Sequence, residues 1–303
     1  MAGKVPRVSP DLAHPSSQRM NAEPTQTPLF HAEHADRYSR QDLIRGYEEA
    51  FNCRLIVVFD ALLDYSVNVL EDLIFDASPD RNIHVLLATP GGDGEAALRM
   101  VRSLQARCNE LTVIVPDRAK SAGTIFALGA HHILMGPTSD LGPIDPQLVL
   151  NPQDPNSLIS AKDVIAAVEA AQDAVQQKPE TYPIHASLLA NVNALQVQQA
   201  RSALARTDDL MRDALSSVKG RSQEEIDRLF ETLHGPLIET STSHAAVFGI
   251  TEARKAALPV IEADPAGTQW RSLWRLWMKY FVANNRIYEG ATASKVVGSW
   301  AAS

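Results

Sequence analysis

Short apolar runs alternate with stretches of helical apolar spacing through much of this chain. Arg54-Leu55-Ile56-Val57-Val58-Phe59, Asn82-Ile83-His84-Val85-Leu86-Leu87-Ala88, Leu111-Thr112-Val113-Ile114-Val115 and His132-Ile133-Leu134-Met135 have the length and β-branched content of strands buried on both faces. Between them the spacing changes. Gln41 to Ala50 reads as an amphipathic helix, residues 65–76 place Val67, Leu70, Leu73 and Ile74 on one face, and further helices are expected over residues 95–108 and after Ser121. Strand and helix in strict alternation predict a parallel sheet of the α/β class.

Past Pro146 the pattern becomes mostly helical. Ser160 is placed to cap a helix carrying Val164, Ile165 and Val168, a long helical stretch is expected over residues 186–218 after Pro179 and Pro183, and another over residues 222–233. This helical part is expected to cap the sheet and supply subunit contacts. Near the end, Trp270, Trp274, Trp277 and Phe281 share a face, with Arg271, Arg275 and Lys279 beside them. Such a stripe serves as core or subunit interface, or alternatively contacts a partner or a membrane surface. Residues 291–303 read as a loose tail. The expected organisation is a disordered N-terminal arm (1–36), a main domain (37–260) and a C-terminal amphipathic helix with its tail (261–303).

Composition narrows the classes. The 303 residues are 45% hydrophobic, enough for a sizeable core, and the net charge of −8 argues against a general nucleic-acid binder. Cys53 and Cys108 lack ligand-like spacing and are expected as buried small residues in a reducing compartment. No apolar run of about 18 residues and no signal-peptide core is visible, so a cytoplasmic address is expected. No His-x-x-x-His or Cys-x-x-Cys spacing suggests a metal. The Gly92-Asp93-Gly94-Glu95-Ala96-Ala97 stretch meets a relaxed dinucleotide pattern, with Asp117 ending the next strand, but so short a pattern is weak; no cofactor is expected.

Chemistry concentrates at two turns. Ser121 lies among small residues in Ala119-Lys120-Ser121-Ala122-Gly123-Thr124, where a strand has ended and a helix opens. The hydroxyl is either an ordinary helix-capping group or a nucleophile aimed at a ligand near the positive end of the helix dipole. Thr89-Pro90-Gly91-Gly92-Asp93-Gly94 likewise links a strand to a helix, and its glycines let backbone N–H groups approach a ligand. If the two strands are neighbours, both turns share one carboxyl edge, and amides of Gly91 or Gly92 with that of Ala122 can form an oxyanion hole.

Pro90-Gly91-Gly92, then Lys120-Ser121-Ala122-Gly123-Thr124, then Gly136-Pro137 through Asp140-Leu141-Gly142-Pro143-Ile144-Asp145-Pro146-Gln147 resemble the Clp/crotonase-fold serine peptidases. Within that clan the chain is most similar to the serine dehydrogenase proteinase family, related to signal peptide peptidase A, over roughly residues 38–259. The resemblance implies a Clp/crotonase-like spiral of β-β-α units with a helical C-terminal extension. It also implies a serine endopeptidase acting on peptides or unfolded protein, and a homo-oligomer. Dehydrogenase activity is not implied.

A serine nucleophile needs a base. Clp-type peptidases place a histidine about two dozen residues after the serine, where this chain has Pro143-Ile144-Asp145-Pro146 instead. Signal peptide peptidases use a lysine on a later helix, which points to Lys162, 41 residues after Ser121. A lysine serves as base only when neutral, a form that the apolar neighbours Ile159, Val164 and Ile165 would favour. His244 is the reserve base. Lys120 is expected to face solvent or a substrate carboxylate, and Asp140 and Asp145 to cap turns. The alternatives to a peptidase are a catalytically silent peptide-binding scaffold and a crotonase-like acyl-CoA enzyme; the latter would normally carry a carboxylate where Ser121 stands.

Overall fold

The computed structural model describes residues 26–149, 158–239 and 246–300. The chain divides into two units, one ending at Tyr38 and one running from Ser39. In the first, part of the stretch expected as a disordered arm forms helix α1 (Pro28–Glu33), which Thr27 caps by accepting the Phe30 N–H at 3.2 Å. Helix α2 (Ala35–Phe51) carries the chain into the second unit.

There β1 (Cys53–Phe59), β2 (Asn82–Ala88) and β3 (Leu111–Val115) run parallel, as the apolar runs predict. A two-residue strand, β4 (Arg118–Ala119), follows, and β5 (His132–Met135) continues the sheet beyond β3. Register is level: Phe59 lies opposite Ala88, Leu86 opposite Ile114, and Val115 opposite Met135. The turns that leave these strands therefore line one carboxyl rim.

Alternation places Ile56, Val58, Val85, Leu87 and Val113 in one core layer and Leu55, Val57, Leu86 and Ile114 in another. Helices α3 (Asp64–Leu73), α4 (Gly94–Ala106) and α5 (Ala122–Leu128) contribute to the first layer. Short backbone pairings then cross the rim. Leu62 pairs with Gly92, Thr89 with Ala119, β4 with β6 (Asp140–Leu141), and Leu141 with Phe248.

Strands β7 (Gln147–Val149) and β8 (Leu158–Ser160) form a hairpin that delivers the chain to α6 (Ala161–Gln177). Ser160 caps α6 as expected, its Oγ accepting the Asp163 N–H at 3.4 Å. The helix expected over 186–218 is instead two: α7 (Tyr182–Leu188) and α8 (Ala194–Ser216). Asn193 makes the break, because its side chain accepts the Gln196 N–H at 2.9 Å while Gln196 accepts that of Asn193 at 3.0 Å. Helix α9 (Gln223–His234) continues into a π-helical turn, Gly235–Glu239. Helix α10 (Ile250–Lys255) leads to β9 (Val260–Glu262), which extends the parallel sheet beside β5.

The C-terminal region completes the same sheet. Helix α11 (Thr268–Ala283) buries Trp270, Leu273, Leu276, Trp277 and Tyr280 against the second core layer. Trp270 and Trp277 are thus mostly buried in the core, whereas Trp274 and Phe281 of the stripe are exposed. Beyond α11, β10 (Asn285–Glu289) joins β1 antiparallel and β11 (Ser294–Ser299) pairs with β10, so six residues of the expected tail form an edge strand. Among the described residues, no helix is long and apolar enough to cross a membrane.

Candidate active site

Ser121 stands at the N-cap of α5 with φ 49° and ψ −110°, and its side chain makes no capping hydrogen bond. Both facts weigh against an ordinary capping serine, which is extended and spends its oxygen on the first turn. A non-glycine residue at this positive φ is strained by about 1–3 kcal/mol, and such strain collects at functional turns. The surroundings enforce it. Gly123 N–H donates to the Lys120 carbonyl at 2.7 Å, and Thr124 N–H donates to that of Ser121 at 2.8 Å. Thr124, fully buried, accepts the Gly142 N–H at 3.1 Å, and its hydroxyl lies 2.7 Å from the Gly142 carbonyl and 2.9 Å from that of Ala119.

The glycine turn comes up against this serine. Gly91 and Gly92 both have positive φ, 122° and 140°. A Cβ on Gly91 would lie 3.1 Å from the Ser121 Cβ and from the Lys120 carbonyl oxygen; one on Gly92 would overlap the Leu62 backbone at 2.1 Å. The Gly91 amide has a partner, donating to Thr89 Oγ1 at 3.1 Å. Among the described residues, no acceptor is assigned to the Gly92 amide or to the Ala122 amide. Of the amides expected from the sequence, these two have no internal hydrogen bond among the described residues.

The Leu141 to Gln147 block ties the serine strand to α6. Its Leu141 pairs with Ala119 in β4. Further on, Asp145 accepts from Ser160 Oγ at 2.7 Å and from Gln147 Nε2 at 3.0 Å, and the Pro146 carbonyl accepts the Ala161 N–H at 2.9 Å. Asp145 thus anchors a helix head, beyond the turn-capping expected of it. Lys162 is the second residue of that helix, half-buried beside Ala161 and Val164, which are fully enclosed. His244 lies outside the described residues.

Lys120 does not face solvent. Its ammonium pairs with Asp140 and donates to the Ala246 carbonyl at 3.1 Å, while Asp140 also accepts the Phe248 N–H at 2.9 Å. The Lys120 stem runs over Gly142, where a Cβ would come within 2.2 Å of it. The pair clamps three segments around the serine turn. Sequence reasoning missed it because the partners lie in separate motif blocks.

A family model for ClpP-like SDH-type serine proteinases matches residues 48–213, more than half of the chain and a span that contains both turns, the Leu141 to Gln147 block and Lys162. The chain belongs to this family. Two uncharacterized proteins of Methanocaldococcus jannaschii are similar over shorter stretches. MJ0137 is 40% identical over 93 residues, 31% of this chain and 30% of the relative. MJ1495 is 36% identical over 69 residues, 23% of this chain and 24% of the relative. The chain thus spans less than a third of the length of either curated relative.

Other reactive side chains lie in packed or peripheral settings. Cys53 and Cys108 are buried free thiols whose pKa values burial pushes up to about 12 and about 11, so neither is a ready nucleophile. His131 sits at the far end of α5, where its Nδ1 accepts the Leu111 N–H at 3.0 Å; burial lowers its pKa. His84 is held in the second core layer by Tyr47, whose hydroxyl lies 2.8 Å from Nδ1. His234 pairs with Asp208 at 3.0 Å at the end of α9.

Proposed function

We propose that the chain is a serine endopeptidase of the Clp and signal peptide peptidase A type, with Ser121 as nucleophile, Lys162 as general base, and the Gly92 and Ala122 amides as the oxyanion hole. The observation that carries this reading is a hydroxyl without a capping bond on a strained strand-to-helix turn, pressed against a glycine loop, with two backbone donors on these turns that have no internal acceptor among the described residues. In the proposed reaction, Ser121 Oγ attacks the peptide carbonyl carbon as its proton passes to Lys162. The carbonyl oxygen becomes an oxyanion and accepts from the two amides. Collapse breaks the C–N bond, Lys162 returns the proton to the leaving amine, and water then hydrolyses the acyl-enzyme by the same route. Gly91 acts sterically, by letting the two loops touch. His244 is the reserve base.

The three successive units in which a main-sheet strand is followed by a short rim pairing and a helix support a Clp/crotonase-like spiral. Peptide or unfolded protein as substrate, a homo-oligomeric assembly and a cytoplasmic setting complete the proposal, with residues 37–260 as the peptidase domain. The test is labelling by a fluorophosphonate together with cleavage of an unfolded protein such as reduced casein. Wild-type protein is expected to label and cleave. Ser121→Ala should do neither, and Lys162→Met should lower turnover by about 10³-fold or more with little loss of folding stability. Wild-type protein that neither labels nor cleaves would leave the scaffold or acyl-CoA readings in place of the peptidase.

A further inference from the structure

A cleft of about 480 Å³ opens at the carboxyl ends of β1 and β2, within the size range of specific ligand pockets. Phe59, Trp277, Phe281 and Trp300 form its aromatic wall, and Pro90, Asp117 and Arg118 its rim. Ring centroids lie 5.0 Å apart for Phe59 and Trp277, 5.5 Å for Phe59 and Trp300, and 6.1 Å for Trp277 and Phe281. This wall is braced from behind. Arg286, held by the fully buried Asp60 at 2.5 Å, places its guanidinium 5.8 Å from the Trp300 ring centre.

The rim continues directly into the serine turn. Thr89 N–H donates to the Arg118 carbonyl at 2.9 Å and Lys120 N–H to that of Thr89 at 3.2 Å, so the rim residues sit on two paired strands. The residue after Pro90 is Gly91, which touches Ser121; three residues after Arg118 is Ser121 itself. Side chains alternate here. A Cβ on Gly123 would meet the Thr89 and Ala119 side chains, which therefore face α5, leaving Pro90 and Arg118 to face the cleft.

Resting on the peptidase reading above, we infer that this cleft is a substrate specificity pocket, and that it takes an aromatic or large aliphatic side chain within two residues of the bond cleaved at Ser121. An extended peptide advances about 3.4 Å per residue, so a carbonyl held at Ser121 brings side chains from its near neighbours to the cleft mouth. Four aromatic rings favour an aromatic or apolar group, and the oppositely charged Asp117 and Arg118 side chains, 4.0 Å apart, also line the cleft. Three of those rings, at 277, 281 and 300, lie outside the span matched by the family model. The cleft thus joins residues of the matched span with residues of the C-terminal region.

The experiment uses the full chain and a series of quenched fluorescent peptides in which each position within two residues of the cleavage site is Phe, Leu, Gly or Asp. Wild-type kcat/KM is expected to favour Phe or Leu over Gly and Asp at one position by about tenfold or more. Phe281→Ala should cut that preference by about fivefold or more by slowing the aromatic peptides most; Phe281→Trp should retain it. Trp300→Ala is the second variant, and should lower the same preference. As a measurement independent of turnover, the Ser121→Ala protein should bind N-acetyl-phenylalaninamide more tightly than N-acetyl-glycinamide by tryptophan fluorescence, and lose that difference when Phe281→Ala is added. A preference that is absent, or one that both variants leave unchanged, overturns the pocket. Wild-type protein that takes no fluorophosphonate overturns the peptidase reading, and the substrate pocket with it.

Discussion

Two polar regions of this molecule are built on opposite rules. On the α2 and α11 side, Glu289 is completely buried, and every strong donor around it is spent. Arg40 reaches it with Nε at 2.7 Å and Nη2 at 3.1 Å, and Tyr280 donates at 2.5 Å. At the carboxyl rim, by contrast, Ser121 sits in strained backbone and the amides of Gly92 and Ala122 have no assigned acceptor among the described residues. A buried polar group left unsatisfied costs stability, which the Glu289 cluster avoids by closing on itself, whereas Gly92 at the rim is exposed. The first region is finished by the fold. The second stays open and, on the function proposed above, would be completed by a substrate carbonyl.

That contrast can be broken most forcefully at its satisfied end. Arg40→Met removes both guanidinium bonds and strands the Glu289 carboxylate in a core, so urea unfolding should show a loss of about 3–5 kcal/mol. A loss under 1 kcal/mol would mean that the cluster is not the closed network described. The next effect is a pH dependence on the same side. Burial, with a smaller contribution from nearby His132, depresses the His84 pKa from 6.5 to about 4. Because the folded value lies below the unfolded one, the unfolded chain binds the extra proton between these values. Stability should therefore fall as pH drops from about 6.5 towards 4, by up to about 3 kcal/mol from this group. His84→Gln should flatten that part of the stability profile; an unchanged slope would assign it elsewhere. The smallest effect is at the rim. Ser121→Gly should be about 1 kcal/mol more stable than Ser121→Ala, since only glycine occupies this conformation without strain. Equal stabilities would remove strain from the account of the site.

The central strands were legible because each is buried on both faces, which forces an unbroken apolar run. Strands β4, β6 and β9 were not, being two or three residues long and defined by backbone pairing alone. Ser294-Lys295-Val296-Val297-Gly298-Ser299 reads as a tail because an edge strand needs only partial burial. The helix break at Asn193 was hidden by the strong helical composition on either side, although Asn followed three residues later by Gln is a legible capping signal. At the rim, the serine and glycine turns announce themselves through small residues that close approach requires. Thr124, the Asp145 to Ser160 bond and the Lys120 to Asp140 clamp do not, since each acts across a gap of at least fifteen residues in the contacts that matter. The Trp270, Trp274, Trp277 stripe was legible as core for Trp270 and Trp277, but a helical wheel locates a stripe without saying which of its residues the sheet covers.

The Thr124 side chain has a consequence for anyone seeking to move this chemistry elsewhere. One hydroxyl, inside α5, ties together the strand ahead of the serine and the loop that leads to Lys162. The two loops transplanted without that helix would arrive unfastened, so the smallest portable version of the rim includes the first turns of α5 and the segment through Gly142.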